Sequence, residues 1–217
     1  MSDHWHFVEG QTRHPQDGCM LALLMKGIGH GRRPVFAVDV GCGDGIIAFD
    51  IFRHRRATKV LAVDSVEACC SAAKKNLSPY IEKGVAQVLK MTAARVFRDK
   101  NNWGRFDRFV INPPFFVKGS GESNRRALDQ SARHEVSLSL KIWSRGARKL
   151  LKTGGELYCV FPTERFGELV TVLSLAGVEP KEVWWFKADR RKRRVFVRAV
   201  KGARPGIIFH FDHEADL

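Results

Sequence analysis

Short apolar runs alternate with longer amphipathic segments along most of this chain. An apolar run of about four to eight residues bounded by glycine or proline is typical of a buried strand, whereas apolar residues recurring every three or four positions are typical of a helix. Helices are predicted at residues 19–27, 46–55, 66–77, 136–151 and 166–176, and strands at residues 35–40, 59–63, 85–89, 106–111 and 156–161. Regular alternation of strand and helix predicts a parallel sheet with helices on both faces.

The pattern changes near the end of the chain. Residues 183–186 and 195–197 are both apolar and strand-like, and only a short polar loop separates them, so they predict a hairpin whose last strand runs antiparallel. The expected fold is therefore α/β, with a mainly parallel seven-stranded sheet that ends in an antiparallel hairpin. Such a sheet is similar to the Rossmann-like fold of class I S-adenosylmethionine-dependent methyltransferases. We expect one domain over residues 1–217, with residues 1–34 as a helical extension or lid and residues 35–217 as the core.

Composition excludes several classes of protein. The chain has 217 residues and a hydrophobic fraction of 44%, which is ordinary for a globular protein. Its five cysteines include no CxxC pair, so neither a disulfide framework nor a metal site is expected. There is no signal-peptide pattern and no apolar stretch long enough to cross a bilayer, so a cytoplasmic protein without a membrane partner is expected. We assume a monomer, although the sequence does not fix the oligomeric state.

The net charge of +14 changes this picture, because it favours a polyanionic partner, most often nucleic acid. One basic cluster occupies the predicted hairpin loop, and another follows the fourth predicted strand. The candidate phosphate contacts are Lys118, Arg125, Arg126, Arg133, Arg190, Arg191, Lys192, Arg193 and Arg194. The run from Arg190 to Arg194 could also be an ordinary solvated loop. RNA contact is favoured because this loop is predicted to lie on the carboxyl edge of the sheet, beside Asn112.

A glycine-rich turn follows the first predicted strand, where α/β sheets bind their ligands. Gly41, Gly43 and Gly45 allow a tight turn and a close approach of the backbone to a ligand. Asp64 ends the second strand and can accept hydrogen bonds from ribose hydroxyls, and Asp39 is placed for a positively charged amino group. The alternative is that the glycines form only a structural turn and that Asp44 and Asp64 only cap helices. The GxGxG spacing fits the dinucleotide fingerprint poorly, and S-adenosylmethionine is favoured over NAD because a later strand bears a motif suited to a methyl acceptor.

Asn112-Pro113-Pro114-Phe115 ends the fourth predicted strand and suits the binding of a planar amine. The side-chain oxygen of Asn112 and the carbonyl of Pro113 can hold the two amine hydrogens, which aims the nitrogen lone pair at a methyl donor. The prolines stiffen the turn, and Phe115 can stack on a flipped base. Asn112 is also counted among the expected cofactor-binding residues. A proline-rich turn with core phenylalanines is the alternative.

Several further segments accompany this motif and make the resemblance more specific. They are Lys118-Gly119-Ser120-Gly121, Ala132-Arg133-His134-Glu135, residues 150–155 and residues 199–206. From the first strand to Gly206 the chain resembles the bacterial tRNA1(Val) (adenine-37-N6)-methyltransferase family. The resemblance implies S-adenosylmethionine as cofactor, tRNA as partner and methylation of an adenine N6.

The chain departs from that family at two places. Thr92 stands where such enzymes commonly carry an acid near the adenine of the cofactor, and we expect its hydroxyl to take over that contact. The N-terminal stretch follows the family pattern loosely, with Asp17 or Gln16 as candidate lid contacts to the cofactor.

Three alternatives stay open from the sequence alone. The amine could be guanine N2 in rRNA, or it could be a glutamine side chain of a protein. Because the acid is replaced at Thr92, a non-catalytic RNA-binding protein on the same scaffold is the third.

Overall fold

The computed structural model describes residues 5–8, 15–28, 33–113, 139–186 and 194–211. Elements are numbered in chain order. The α-helices are α1 (Pro15–Leu24), α2 (Ile46–Arg53), α3 (Glu67–Asn76), α4 (Ser78–Glu82), α5 (Ala93–Arg98), α6 (Leu140–Leu150) and α7 (Phe166–Leu175). The strands are β1 (Phe36–Val40), β2 (Lys59–Asp64), β3 (Ala86–Lys90), β4 (Phe106–Ile111), β5 (Leu151–Pro162), β6 (Val178–Phe186), β7 (Arg194–Lys201) and β8 (Ile208–Phe211). Short 3-10 turns cover Lys100–Asn102 and Thr163–Arg165.

The described strands form one eight-stranded sheet in the order β3-β2-β1-β4-β5-β7-β6-β8. Strands β1 to β5 pair in parallel, and β7 pairs antiparallel with both β5 and β6. The predicted α/β fold with a terminal hairpin is therefore confirmed. The predicted number of seven strands is too low, because β8 adds an edge strand parallel to β6.

The prediction missed β8 for a physical reason. All four of its side chains are exposed, so it lacks the alternation of buried and exposed positions by which a strand is recognised. The short helices α4 and α5 were missed as well, and α1 begins at Pro15 rather than at residue 19. Strand β5 begins at Leu151, where helix was predicted.

Two apolar cores lie on the two faces of the sheet, as the predicted layering requires. On one face α5, α6 and α7 cover the strands, with Trp143 and Phe109 fully buried between them. On the other face α1, α2 and α3 contribute Leu21, Ile51 and Ala73. No helix in the described part of the chain is both long and apolar enough to span a membrane.

A row of charged side chains crosses the sheet from β4 to β6. Arg198 donates to Oε1 of Glu156 through Nε at 2.8 Å and Nη2 at 2.6 Å, and to Oε1 of Glu182 through Nη1 at 2.6 Å. The Tyr158 hydroxyl donates to Oε2 of Glu156 at 2.9 Å, and Nε of Arg108 lies 3.5 Å from the same oxygen. Paired charges of this kind join the terminal hairpin to the parallel strands.

Candidate functional site

The carboxyl ends of four adjacent strands meet at one edge of the sheet. Asp39 of β1 is in register with Val110 of β4, and Val40 is in register with Val63 of β2. Neighbouring strands are about 4.8 Å apart. The residues that follow these pairs, Gly41, Asp64 and Asn112, therefore lie side by side at this edge.

The glycine turn after β1 is closed by backbone hydrogen bonds. The amides of Gly41 and Cys42 donate to the Val63 carbonyl at 2.8 and 3.0 Å. Gly41, Gly43 and Gly45 have φ values of 77°, 56° and 86°, a region that disfavours other residues. A Cβ added at Gly41 would meet no atom within 4 Å, so the turn leaves open space where a ligand can approach the backbone.

Gly45 has a different role from Gly41. A Cβ added there would lie 3.2 Å from the Cβ of Ala73 and 3.3 Å from Leu77, so this glycine allows α3 to pack against the turn. The sequence-based prediction counted both glycines as cofactor-binding; the geometry leaves open space at Gly41 and packs Gly45 against α3.

Asp64 joins the end of β2 to the turn. Its Oδ2 accepts a hydrogen bond from the Gly43 amide at 3.0 Å, and its Oδ1 accepts one from the Val66 amide at 2.9 Å. Each oxygen keeps a further acceptor position, so the carboxylate can bind hydroxyls while it holds the turn. The capping residue of α3 is Val66, so in the structure Asp64 supports the chain just before that helix rather than capping it.

Asp39 carries an unusual carboxylate. The residue is completely buried, and neither oxygen has a hydrogen bond of normal geometry to any described residue. Burial, followed by the negative charge of Asp64, raises the pKa of Asp39 to about 7, and the nearby backbone N–H of Ala48 offsets this only in part. A buried carboxylate without a partner costs free energy unless a cation reaches it. The chemistry of the site therefore fits a positively charged amino group.

Thr92 lies at the same edge, after β3, but its side chain is exposed. Its Oγ1 accepts a hydrogen bond from the Arg95 amide at 3.3 Å and so caps α5. The hydroxyl hydrogen remains available to a ligand, and the expected contact to an adenine ring stays a prediction.

Asn112 directly follows β4 and is half-buried, and Pro113 beside it is buried. The other two predicted acceptor residues, Pro114 and Phe115, lie outside the described residues. So do the predicted phosphate contacts Lys118, Arg125, Arg126, Arg133, Arg190, Arg191, Lys192 and Arg193.

Arg194, the remaining predicted phosphate contact, is the first residue of β7. Its side chain is 14% exposed, and its Nε lies 3.7 Å from Oδ2 of Asp17 in α1. Asp17, a candidate lid contact, is thus engaged with β7. The side chain of the other candidate, Gln16, lies outside the described residues.

Two residues near the turn were missed by the sequence-based prediction. Trp5 Nε1 donates to Oδ2 of Asp44 at 3.0 Å, and Asn76 Nδ2 donates to the Asp44 carbonyl at 2.9 Å. Neither residue stands in a motif, and both contacts join positions far apart in sequence, so no local signal could have found them.

The sheet order and the terminal hairpin give the chain the fold of solved Rossmann-like methyltransferases. A solved structure of a predicted O-methyltransferase from Agrobacterium tumefaciens is similar to it with a TM-score of 0.60 at 18% identity, over 90% of this chain and 85% of that chain. The T. Thermophilus 16S rRNA N2 G1207 methyltransferase, in complex with AdoMet and guanosine, also gives a TM-score of 0.60, at 20% identity, over 90% of this chain and 45% of that chain.

Residues 22–171 match the family described as the methyltransferase small domain, and the chain belongs to that family. It is 31% identical to the tRNA1(Val) (adenine(37)-N6)-methyltransferase of Parabacteroides distasonis, over 66% of this chain and 58% of that relative. It is 28% identical to the protein of the same name from Tolumonas auensis, over 79% of this chain and 65% of that relative. The chain thus spans about three fifths of the length of these relatives.

Proposed function

We propose that this protein transfers a methyl group from S-adenosylmethionine to the exocyclic N6 of an adenine in tRNA. The observation that carries the proposal is the buried, unpartnered carboxylate of Asp39 beside the open side of Gly41. Asn112 follows the adjacent strand at the same edge. The names of the relatives support adenine and tRNA as the substrate class.

The residues present fit the cofactor. Asp39 would hold its amino group, Asp64 would accept hydrogen bonds from its ribose hydroxyls, and the backbone at Gly41 would allow its close approach. Thr92 would contact its adenine ring. When bound, the cofactor supplies a methyl group on a positively charged sulfur. A cation near Asp39 would favour the ionised carboxylate and so remove the cost of its burial.

Asn112 and Pro113 would prepare the acceptor. An exocyclic amine is a poor nucleophile because its lone pair is delocalised into the ring. The Asn112 side-chain oxygen and the Pro113 carbonyl would each accept one amine hydrogen, which turns the nitrogen towards tetrahedral geometry. This alignment needs no strong base, and the rigid turn provides it before the substrate arrives. The N6 lone pair would form the bond to the methyl carbon as the bond from that carbon to sulfur breaks; S-adenosylhomocysteine would leave, and the methylated nitrogen would lose one proton to solvent. Phe115 would stack on the flipped base, a contact worth about 1–3 kcal/mol at other sites.

The positive charge of the chain would bind the RNA backbone. A net charge of +14 attracts phosphates without regard to sequence, while the Asn112 pocket reads the base. The proposed phosphate contacts are two basic clusters: the arginines at positions 125, 126 and 133, and the run from Arg190 to Arg194. A tRNA substrate is consistent with a cytoplasmic enzyme.

The test is to incubate the protein with radiolabelled S-adenosylmethionine and total bacterial RNA and to identify the labelled nucleoside. We expect N6-methyladenosine in the tRNA fraction. Labelled N2-methylguanosine would show that adenine is not the acceptor, while methyl transfer to an exocyclic amine would still hold. Label in protein alone would point to a glutamine acceptor. RNA binding without cofactor binding or label would establish the non-catalytic alternative.

A further inference from the structure

Residues 5 and 6 are tied to the glycine turn of the proposed cofactor site and to the helix beside it. The indole of Trp5 donates to the carboxylate of Asp44 at 3.0 Å. Its ring also meets Phe49 of α2 edge-on, with centroids 5.2 Å apart. Asp44 stands between Gly43 and Gly45, so the bond from Trp5 reaches the middle of the turn.

Asn76, the last residue of α3, joins this segment to the turn a second time. Its Oδ1 accepts from the His6 amide at 2.9 Å, and its Nδ2 donates to the carbonyls of His6 at 3.0 Å and Asp44 at 2.9 Å. Both amide hydrogens and the amide oxygen are thus used in linking two distant parts of the chain.

The turn needs such support because glycine has little conformational preference of its own. On the β2 side it is held by Asp64, which binds the Gly43 amide. On the opposite side the contacts to Asp44 come from Trp5 and Asn76. The two sets of contacts fix adjacent residues of the turn, and so they fix how Gly41 and Gly43 face the ligand space.

We infer that Trp5 and Asn76 are positioning residues of the cofactor site, through which residues 5–8 set the shape of the glycine turn. The inference rests on the proposed use of S-adenosylmethionine. Because binding linkage is reciprocal, a bound cofactor also favours the docked position of residues 5–8. Loss of these contacts therefore weakens cofactor binding and leaves the RNA-binding surface unaffected.

The variant Trp5→Phe tests this with little loss of apolar contact, since it removes the indole donor and keeps an aromatic ring against Phe49. The probe is S-adenosylhomocysteine, with Kd measured by calorimetry. Loss of one hydrogen bond predicts a Kd about three- to tenfold higher, with an unchanged KM for RNA. Asn76→Ala, which removes three hydrogen bonds, should raise Kd further, on the order of tenfold or more.

Trp103→Phe is the matched control. The Trp103 indole donates to the Phe97 carbonyl at 3.0 Å, before β4, so the variant removes an indole hydrogen bond, here to a neutral acceptor, away from the turn. This variant should bind S-adenosylhomocysteine like the wild type even if its melting temperature falls. Equal Kd values for Trp5→Phe and the wild type, or equal weakening by the two tryptophan variants, would overturn the inference. A wild-type protein that binds no S-adenosylhomocysteine would overturn the proposed cofactor and this inference with it.

Discussion

The carboxylate of Asp64 accepts a hydrogen bond from the backbone amide of Gly43 at 3.0 Å. The bond joins the last residue of β2 to the turn that follows β1. The group proposed to hold the ribose and the backbone proposed to face the rest of the cofactor are therefore built as one unit. A displacement of Asp64 would alter both contacts together.

Asp39→Asn should abolish the pH dependence of cofactor binding. With a pKa of about 7, the wild-type carboxyl is mostly protonated below that pH, so affinity should rise about tenfold per pH unit towards 7 and level off above it. The variant should bind weakly at every pH. Calorimetric titrations with S-adenosylhomocysteine between pH 5.5 and 8.5 measure this, and a flat wild-type profile would contradict it.

The same residue predicts the sign of a stability change. The folded-state pKa of Asp39 lies above that of an unfolded aspartate, so ionisation costs stability as pH rises from about 4 through 7. Asp39→Asn should therefore melt at a higher temperature than the ligand-free wild type at pH 8, with a smaller difference at pH 5. Thermal denaturation without cofactor at both pH values tests this. A larger rise in melting temperature at pH 5 than at pH 8 would show that ionisation of Asp39 does not cost stability.

Gly41→Ala should reduce cofactor affinity by at least about tenfold, because the new methyl group would enter the ligand space. Gly84→Ala is a matched control. Gly84 has a φ of 68° against 77° for Gly41, and a Cβ at either position meets no atom within 4 Å. Both variants should lose about 1–2 kcal/mol of stability from backbone strain. Equal Kd values for S-adenosylhomocysteine in the two variants would place the cofactor elsewhere.

Asn112→Ala should lower kcat by about a hundredfold or more, because it removes an acceptor that aligns the amine. Its Kd for S-adenosylhomocysteine should stay within about threefold of the wild-type value, which is less than one hydrogen bond contributes. The exposed Asn101, in the turn before β4, supplies the control Asn101→Ala. Single-turnover methylation of tRNA separates this loss from product release. Full activity in Asn112→Ala would exclude the proposed acceptor pocket.

Neutralising Arg190, Arg191, Lys192 and Arg193 together should weaken RNA binding and flatten its salt dependence. If these four side chains contact phosphates, the slope of log K against log salt should fall by roughly 3. The control removes equal charge at exposed lysines at the start of β2, in α3 and just after α4, namely Lys59, Lys74, Lys75 and Lys83. Filter binding over a salt series distinguishes them. A slope change in the control alone would locate the RNA on that other surface.

Glu156→Gln should destabilise the protein by roughly 1.5–3 kcal/mol, because it removes one of the two carboxylates that the half-buried Arg198 binds. The control is Glu168→Gln, since the Arg165–Glu168 pair is largely exposed and should contribute less than about 1 kcal/mol. Urea denaturation compares the two. Similar losses of unfolding free energy in the two variants would show that the row of charged side chains across the sheet adds little to stability.

Much of the fold was accessible from the sequence because buried parallel strands leave apolar runs, as in β1 and β4. The positions of Asp39 and Asp64 at the carboxyl edge could be predicted, since each stands at or near the end of such an apolar run. The exposed strand β8 and the contacts of Trp5 depend on tertiary pairing, which leaves no local period. Arg194 illustrates the same limit, because it was placed in the basic loop and the structure pairs it with Asp17.

The charged row across the sheet also bears on how the protein opens. Separation of β7 from β5 would take Arg198 away from Glu156 and break that ion pair, so the hairpin is not expected to open independently of the rest of the sheet. Amide hydrogens of β7 should then exchange with solvent together with those of β4, in a single cooperative event. The strands that flank the proposed RNA-binding loop, β6 and β7, are thus expected to resist local unfolding as strongly as the strands at the centre of the sheet.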